Sequence, residues 1–437
     1  MSEAALSVKV EDLSPVKKKL SFDIPWEEVQ RELDVAYNHI GKKAKIKGFR
    51  PGKTPRRLLE IYFKEQAEDE AVQNLINRFY WDAVEKNSLD PAAQPVIDRA
   101  GIAPESSYSF TATVEVKPVI EPQGYLDIEV EKEEPHVTDE DVRKRLEELQ
   151  QVYSTLEDTP EGRSVENGNF VTLDFEGRID GKEIEDTRGR NYLLEVGSGR
   201  FIPGFEEQII GMKKGDTREF TLKFPDPYQK EELAGKDVTF TASVKEIKEK
   251  KIPALDESFL KNFEKYDSLD ALKDDIRKAL EDEEQVRTEA EFGRKLTDAL
   301  LAANDFEVPQ SLVDRRIFFM MANAQRRMAA GGMDPDKAAD LSFQMRERFR
   351  DEAVRGVKLS LLLESIAGKE SIEAGEEDVN QKLNEIAGRS GRDLDSVKSS
   401  YSEEGLLEGL RADLREQKTL DFVRGRAKIK NVQRQTS

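Results

Sequence analysis

A short basic stretch rich in glycine and proline sets the first constraint on how this chain folds. Residues 42–57 read KKAKIKGFRPGKTPRR and hold eight basic residues and no acidic residue. Residues 48–55 at its centre contain two glycines and two prolines, which predicts a tight turn and not a continued helix. Apolar residues at helical spacing precede and follow the stretch, so we expect two helices joined by a basic turn.

The charge of this stretch is opposite to that of the whole chain. The 437 residues carry a formal net charge of −20, so the cations of residues 42–57 are locally concentrated. They would attract a polyanion, and Phe49 beside Arg50 would add a short-range aromatic anchor. The alternative is a solvated basic turn that only links two helices, because many charge runs are solvated faces.

Composition argues against several classes of protein. Cysteine is absent and there are only two histidines, which speaks against disulfides, a zinc site and a Ser-His-Asp triad. The N-terminus lacks a signal-peptide pattern, and no apolar run approaches the ~20 residues of a membrane span. We therefore expect a cytoplasmic protein with no metal, no cofactor and no membrane partner. The length predicts roughly three domains at ~100–200 residues each.

The first 117 residues predict one compact α+β unit. Alternating apolar residues indicate strands, and apolar residues spaced three and four apart indicate helices. The predicted elements are two strands within residues 5–24, a helix after Pro25, a helix opened by Thr54 as N-cap with Pro55, a helix over residues 65–86 and a strand over residues 108–116.

The remainder changes character twice. Residues 118–157 are expected to connect two domains and to include a helix capped by Thr138 and Asp141. Residues 165–250 predict a small antiparallel sheet with one short helix and a hairpin turn at Asp180-Gly181. From Asp256 to the end of the chain, the apolar residues recur at helical spacing. The expected segments include residues 268–304, a helix from Pro309, residues 343–367, 379–387 and 405–426.

Five of the seven methionines lie between Met320 and Met345. Methionine is flexible and polarisable, which suits a surface that meets varied apolar partners. Ordinary core filling is the alternative. We take Met320, Met321, Met328 and Met345 as candidate residues for binding other polypeptides.

With two motifs in this order, the chain resembles the bacterial trigger factor family along essentially its whole length. Residues 48–55 match that family's ribosome-docking loop, and residues 170–247 look like its FKBP-type prolyl isomerase domain. The matching landmarks of the second region are Asp174-Phe175, Gly181, Gly197, Phe201-Ile202-Pro203-Gly204-Phe205 and Phe224-Pro225.

The resemblance implies a multidomain α+β fold. An N-terminal α+β ribosome-docking domain would span residues 1–117, followed by a connector over residues 118–157. An FKBP-like antiparallel β domain with a short helix would span residues 158–250. Residues 251–437 would form an all-α chaperone domain with arms.

The resemblance also implies the site residues. Docking would use Gly48, Phe49, Arg50, Pro51, Gly52, Lys53 and Pro55. The isomerase pocket would consist of Phe175, Ile184, Tyr192, Phe201, Ile202, Phe205, Tyr228 and Phe240. At two positions the chain departs from the family. Pro51 stands where many relatives carry a basic residue, and Ile184 stands where an aromatic residue is usual.

The implied function is that of an ATP-independent chaperone with prolyl isomerase activity, and no phosphate-cradling GxxxxGK[ST] motif is present. Its partners would be protein and rRNA of the large ribosomal subunit near the tunnel exit, and nascent or unfolded polypeptides. The chain would be a monomer on the ribosome and a homodimer when free. Two alternative hypotheses are that the chain is a free prolyl isomerase, or that it is an RNA-binding protein that uses residues 42–57. The size of the non-isomerase part opposes the first, and the net charge opposes the second.

Overall fold

The structure is a computed structural model that describes residues 7–47, 49, 53–179, 182–184, 187–228, 233–263, 265–401 and 405–433. The chain divides into two compact units. The first unit comprises residues up to 132 together with residues 290–432. The second comprises residues 133–289 and the tail from 433.

The first unit begins with an antiparallel sheet packed against helices. Its elements are β1 (Ser7–Ser14), β2 (Lys17–Ile24), α1 (Trp26–Lys43), α2 (Arg56–Tyr62), α3 (Lys64–Lys86), β3 (Val96–Arg99), β4 (Tyr108–Glu115) and β5 (Glu129–Glu133). The sheet order is β1-β2-β4-β3. Alternation along β2 turns Leu20, Phe22 and Ile24 to one face, because successive strand side chains point to opposite sides. There the Phe22 ring stacks on Phe110 with centroids 4.3 Å apart.

The second unit contains a capped helix and a larger sheet. Its elements are α4 (Asp139–Val152), β6 (Thr155–Asp158), β7 (Phe170–Ile179), β8 (Lys182–Glu183), β9 (Gly189–Glu195), α5 (Phe205–Ile209), β10 (Thr217–Lys223), β11 (Asp237–Lys251), α6 (Glu257–Leu260) and the start of α7 (Leu269–Ala302). The long strand β11 pairs with β7, β10 and β6, and β7 also pairs with β8 and β9. All these pairings are antiparallel.

Two separate apolar clusters stabilise the second unit. The sheet and α5 enclose one of them, which includes Leu173, Phe205 and Phe240. The other joins α4 to α6 and α7 and includes Val142, Phe259 and Ile276.

Helices complete the first unit. They are the end of α7, α8 (Gln310–Ala330), α9 (Pro335–Gln344), α10 (Arg350–Glu370), α11 (Glu376–Ser390), α12 (Leu394–Tyr401) and α13 (Leu406–Arg426), followed by β12 (Lys428–Val432). β12 pairs with β5. The side chains of Phe292, Leu300, Leu362, Ile366 and Val423 are buried together where α7, α10 and α13 meet.

Within the first unit, polar contacts join the N-terminal sheet region to these helices. The Lys117 ammonium lies 2.8 Å from a Glu364 carboxylate oxygen. The Arg315 guanidinium donates to the Ala92 carbonyl at 2.8 Å, and the Ser311 N–H donates to the Glu115 carboxylate at 2.7 Å. Residues far apart in the chain are thus tied into one unit.

The predicted multidomain α+β fold class is confirmed, and several predicted elements form as expected. Thr138 and Asp141 make the predicted capping box at the start of α4, and the Ser268 hydroxyl accepts from Ala271 at the start of α7. The expected strands in residues 5–24 and 108–116 are β1, β2 and β4. The predicted turn at Asp180-Gly181 lies outside the described residues.

Two local predictions are wrong. Thr54 does not cap α2: Pro55 occupies the N-cap, and the buried Thr54 hydroxyl has no hydrogen-bond partner among the described residues. Residues 343–367 are not one helix, because α9 ends at Gln344 and a 3-10 turn over Glu347–Phe349 precedes α10. No glycine or proline marks that break in the sequence, and Phe349 packs into the core between α8 and α10.

Candidate functional site

The basic turn lies between α1 and α2, and both of its flanks are held by packing. Ile40 and Ala44 near the end of α1 are buried with Leu59 of α2. Gly48, Arg50, Pro51 and Gly52 lie outside the described residues. Of the other predicted docking residues, Phe49 is 41% exposed, and Lys53 and Pro55 are exposed as well.

Not every cation of residues 42–57 is available to a partner. The Arg56 guanidinium lies 3.0 Å from the Asp34 carboxylate, 2.8 Å from that of Glu60, and 3.7 Å from the Tyr37 ring centroid. Burial raises the pKa of the Tyr37 phenol, although the Arg56 charge opposes this shift. Arg56 therefore stabilises the junction of α1 and α2. Exposed positive charge in the described part of the turn comes from the side chains of Lys42, Lys43, Lys45, Lys47, Lys53 and Arg57.

The structure brings the eight predicted pocket residues into one contiguous cluster on the second unit. Phe205 and Phe240 are fully or almost fully buried and form its floor. Five others are half-buried against the same core, namely Phe175, Ile184, Phe201, Ile202 and Tyr228. Tyr192 is more exposed and joins the cluster through edge contacts with Phe175 and Phe201, at centroid distances of 5.9 and 5.2 Å.

Phe205 is the centre of the ring contacts in this cluster. The Phe205 ring lies 5.7 Å from Phe175, 4.4 Å from Phe201 and 5.3 Å from Phe240, measured between centroids. Most of these ring pairs meet edge to face, the arrangement that aromatic quadrupoles favour. Tyr228 lies further along and packs on Phe224 with centroids 4.8 Å apart.

A polar network on β7 and β9 fixes the strand that carries Tyr192. The Asp174 carboxylate accepts from the Asn191 N–H at 2.7 Å and lies 2.8 Å from the Lys245 ammonium. The hydrogen bond from Lys245 and that from the Asn191 backbone lower the pKa of Asp174. This network lies beside the ring cluster and supports it.

Sequence reasoning missed two features of the cluster. Phe220 of β10 is buried with its ring 5.3 Å from Phe205, so it supports the floor from behind. Gly189 faces the edge of the Phe175 ring, and a side chain there would overlap that ring. The alternation of Phe220, Leu222 and Phe224 along and just after β10 is a signal for the first, whereas the close approach at Gly189 depends on the pairing of β7 with β9.

The four predicted methionines lie on or just after α8 and α9, and all are half-buried. Met320 and Met321 pack against the core between α8 and α10, and Met328 and Met345 are likewise only partly exposed. The exposed apolar surface of these two helices comes mainly from residues that the prediction missed. Phe318, Phe319 and Phe343 are 66%, 54% and 63% exposed. The adjacent phenylalanines Phe318 and Phe319 on a charged helix were the available signal.

Two features are absent from the part of the chain that the structure describes. No group of three or more histidine, cysteine, aspartate or glutamate side chains in that part of the chain could hold a metal ion. Among the helices described, none combines the length and the hydropathy of a membrane span.

Family models match most of the chain. The model described as "Bacterial trigger factor protein (TF)" matches residues 6–149, and "Bacterial trigger factor protein (TF) C-terminus" matches residues 268–424. The model of "FKBP-type peptidyl-prolyl cis-trans isomerase" matches residues 161–247, which include every residue of the ring cluster.

Curated relatives match over the full length. The chain is 46% identical over 436 residues to the trigger factor of Syntrophus aciditrophicus (strain SB), covering 100% of this chain and 98% of the relative. It is 39% identical over 430 residues to the trigger factor of Geotalea uraniireducens (strain Rf4), covering 98% and 99%.

A solved structure described as "Promiscuous Substrate Recognition in Folding and Assembly Activities of the Trigger Factor Chaperone" matches with a TM-score of 0.46 and 21% identity, over 95% of this chain and 98% of that one. The family assignment rests on the sequence relatives and family models, which confirm the resemblance seen in the motifs. The chain belongs to the bacterial trigger factor family, and it is a ribosome-associated chaperone that binds nascent polypeptides and a peptidyl-prolyl cis-trans isomerase of the FKBP type.

Proposed function

We propose that this chain docks through residues 42–57 beside the nascent-chain exit of the large ribosomal subunit, where it meets protein and rRNA. The single observation that carries this proposal is the exposed Phe49 ring, set among exposed cations in a chain of net charge −20. A surface cation is attracted to rRNA phosphate over a long range, whereas an apolar ring gains free energy only on contact. The contacts would come from Gly48, Phe49, Arg50, Pro51, Gly52, Lys53 and Pro55.

The remaining assignments divide the chain by task. Docking belongs to residues 1–117, the connector is residues 118–157, isomerisation belongs to residues 158–250, and polypeptide binding belongs to residues 251–437. The chain acts in the cytoplasm without ATP, as a monomer on the ribosome and a homodimer when free. Light scattering of the free protein over a concentration series tests the last point.

Isomerisation takes place in the ring cluster and needs no nucleophile. The barrier to rotation about an amide is its lost resonance, ~18–20 kcal/mol. A twisted amide is less dipolar than a planar one, so a dry aromatic pocket favours it by withdrawing the solvation that stabilises the planar form. Buried Phe205 and Phe240 supply a dry floor, and half-buried Phe175 and Phe201 supply walls.

Polypeptide binding uses α8 and α9. Met320, Met321, Met328 and Met345 shape that surface from below, and the exposed phenylalanines of the same helices meet the bound chain. Exposed apolar side chains that cluster on a charged surface are the usual mark of an interaction site.

Co-sedimentation with ribosomes tests the docking proposal. The variant Phe49→Ala/Arg50→Ala/Pro51→Ala should lose binding while its circular dichroism and melting temperature stay as in the wild type. Added salt should weaken wild-type binding, because surface charges are screened within ~8–10 Å at physiological salt.

A matched control removes an exposed ring and an exposed cation elsewhere in the same region. Trp81 and Lys86 of α3 are both exposed, and Trp81→Ala/Lys86→Ala should sediment with ribosomes as the wild type does. Undiminished sedimentation of the triple variant would show that docking lies on another surface.

A further inference from the structure

The carboxylate of Glu206 is buried under residues 197–201, which we call the pocket loop. Glu206 is the second residue of α5, and only 7% of it is exposed. Both carboxylate oxygens accept hydrogen bonds from the pocket loop. The donors are the N–H groups of Gly197 at 2.6 Å, Gly199 at 3.3 Å, Arg200 at 3.1 Å and Phe201 at 3.4 Å, and the hydroxyl of Ser198 at 3.4 Å.

The backbone of the pocket loop is shaped to need such an acceptor. Gly197 and Gly199 have φ values of +94° and +67°, in the left-handed region that favours glycine. Left-handed residues interspersed in a turn direct successive N–H groups into one concavity, which suits an anion. A carboxylate that accepts five hydrogen bonds from one loop holds that loop in place, so Glu206 stabilises this conformation. A side chain at Gly197 would also overlap the Asn167 carboxamide.

The pocket loop ends at a wall of the pocket. The Phe201 ring contacts Tyr192 at 5.2 Å and Phe205 at 4.4 Å between centroids. Phe205 precedes Glu206 on α5 and forms the floor of the pocket. The Glu206 side chain thus connects the loop that carries Phe201 to the helix that carries Phe205.

We propose that Glu206 is a positioning residue of the isomerase, whose carboxylate holds the pocket loop so that Phe201 stands ready as a wall. The inference rests on the proposed pocket. Glu206 acts through Phe201 and does not touch the substrate. If Phe201 is mobile, it must be ordered each time the amide twists. The cost of ordering it should fall on the transition state, so kcat should fall by a larger factor than KM rises.

The test compares four full-length variants in an isomerisation assay on a phenylalanyl-proline peptide. Glu206→Gln keeps the size of the side chain but replaces one acceptor oxygen with an NH₂ group, which faces N–H donors. We expect kcat to fall roughly tenfold while KM changes less than about twofold. The matched control is Glu207→Gln, the same substitution at the next residue, which is exposed and should behave as the wild type.

The third and fourth variants, Phe201→Ala alone and combined with Glu206→Gln, complete a double-mutant cycle. If Glu206 acts through Phe201, the Gln substitution should cost little further kcat once the ring is gone. Fully additive losses, or a Glu206→Gln variant as active as the wild type, would overturn the inference. An unchanged Phe201→Ala variant would instead overturn the pocket assignment itself.

Hydrogen exchange keeps the proposal testable if Glu206→Gln does not fold. The amides of the pocket loop should be protected in the full-length wild type, because each bonded N–H must open before it exchanges. Glu206→Asp keeps the charge on a side chain one methylene shorter, and it should give faster loop exchange and an intermediate kcat. Rapid exchange of the wild-type loop, with β7 and β11 protected, would contradict the proposal.

Discussion

At the scale of single residues, Ile184 of the proposed pocket is the position where a substitution is expected to raise isomerase activity. Ile184 is half-buried against the ring cluster, and its N–H donates to the Gly177 carbonyl at 3.1 Å. The Thr187 hydroxyl donates to the Ile184 carbonyl at 2.9 Å, which holds the backbone there. The backbone at Ile184 is therefore held in place, and the proposed pocket has an aliphatic side chain here where an aromatic ring would present a flat face.

Ile184→Phe should raise isomerase activity, by roughly tenfold or less, since ~1.4 kcal/mol corresponds to a factor of ten in rate. An aromatic ring adds contact with the proline and excludes water better, and both effects favour the twisted amide. The measurement is kcat/KM on a prolyl peptide.

Ile184→Leu serves as the control, because it keeps the side-chain volume and adds no ring, so its rate should stay near that of the wild type. Equal rates for the Phe and Leu variants would argue that this wall is not in contact with the substrate. Phe240→Ala is a poorer probe, since removing a core phenylalanine costs about 3–5 kcal/mol of stability.

At the scale of elements, α8 presents two kinds of apolar side chain with different tasks. Met320 and Met321 pack on the core that α8 shares with α10, whereas Phe318 and Phe319 are more than half exposed. Neighbouring positions on a helix point about 100° apart, so adjacent residues can serve the core and the surface. Substitutions at the two pairs should therefore affect different properties.

Phe318→Ala/Phe319→Ala should reduce suppression of aggregation of an unfolded protein, measured by light scattering, about threefold or more, while the melting temperature stays within a few degrees. Met320→Ala/Met321→Ala is the matched comparison. It should lower the melting temperature, because half-buried apolar groups are lost from the core. If the methionine pair alone reduces suppression, without a change in stability, the exposed phenylalanines are not the binding surface.

At the scale of the whole molecule, the chain enters and leaves the isomerase sheet on two paired strands. β6 and the end of β11 are paired, with Thr155 opposite Lys251 and Asp158 opposite Lys248. The cluster that joins α4, α6 and α7 is separate from the core of the sheet. The sheet therefore has a core of its own, and the helices outside it have a separate one.

Replacing residues 155–251 with a hairpin linker of roughly four residues should leave a folded protein, because paired strand ends lie within reach of a short turn. That protein should sediment with ribosomes as the wild type does and should keep most of its suppression of aggregation. It should have no prolyl isomerase activity. A folded deletion variant without suppression would assign polypeptide binding to the isomerase region.

Local chemistry was enough to predict many elements of this protein. Alternation of Leu20, Phe22 and Ile24 specifies a strand with one buried face, and Thr138 with Asp141 specifies a helix start, because both signals act over a few residues. The ring cluster could be predicted only by resemblance, since aromatic stripes in strands usually indicate a core. Short strands such as β5 and β6 escaped prediction because few of their side chains are buried.

The order of the strand and helix regions, the basic turn and the family could all be predicted from the sequence. Which residues of those regions act together depends on the tertiary fold. Pairing across long stretches of chain joins β5 to β12, brings Arg56 to Asp34 and Tyr37, and brings the pocket loop over Glu206. Such contacts form only when the entropic cost of closing long loops is offset by burial and hydrogen bonding over the whole unit. A local sequence pattern cannot predict that balance.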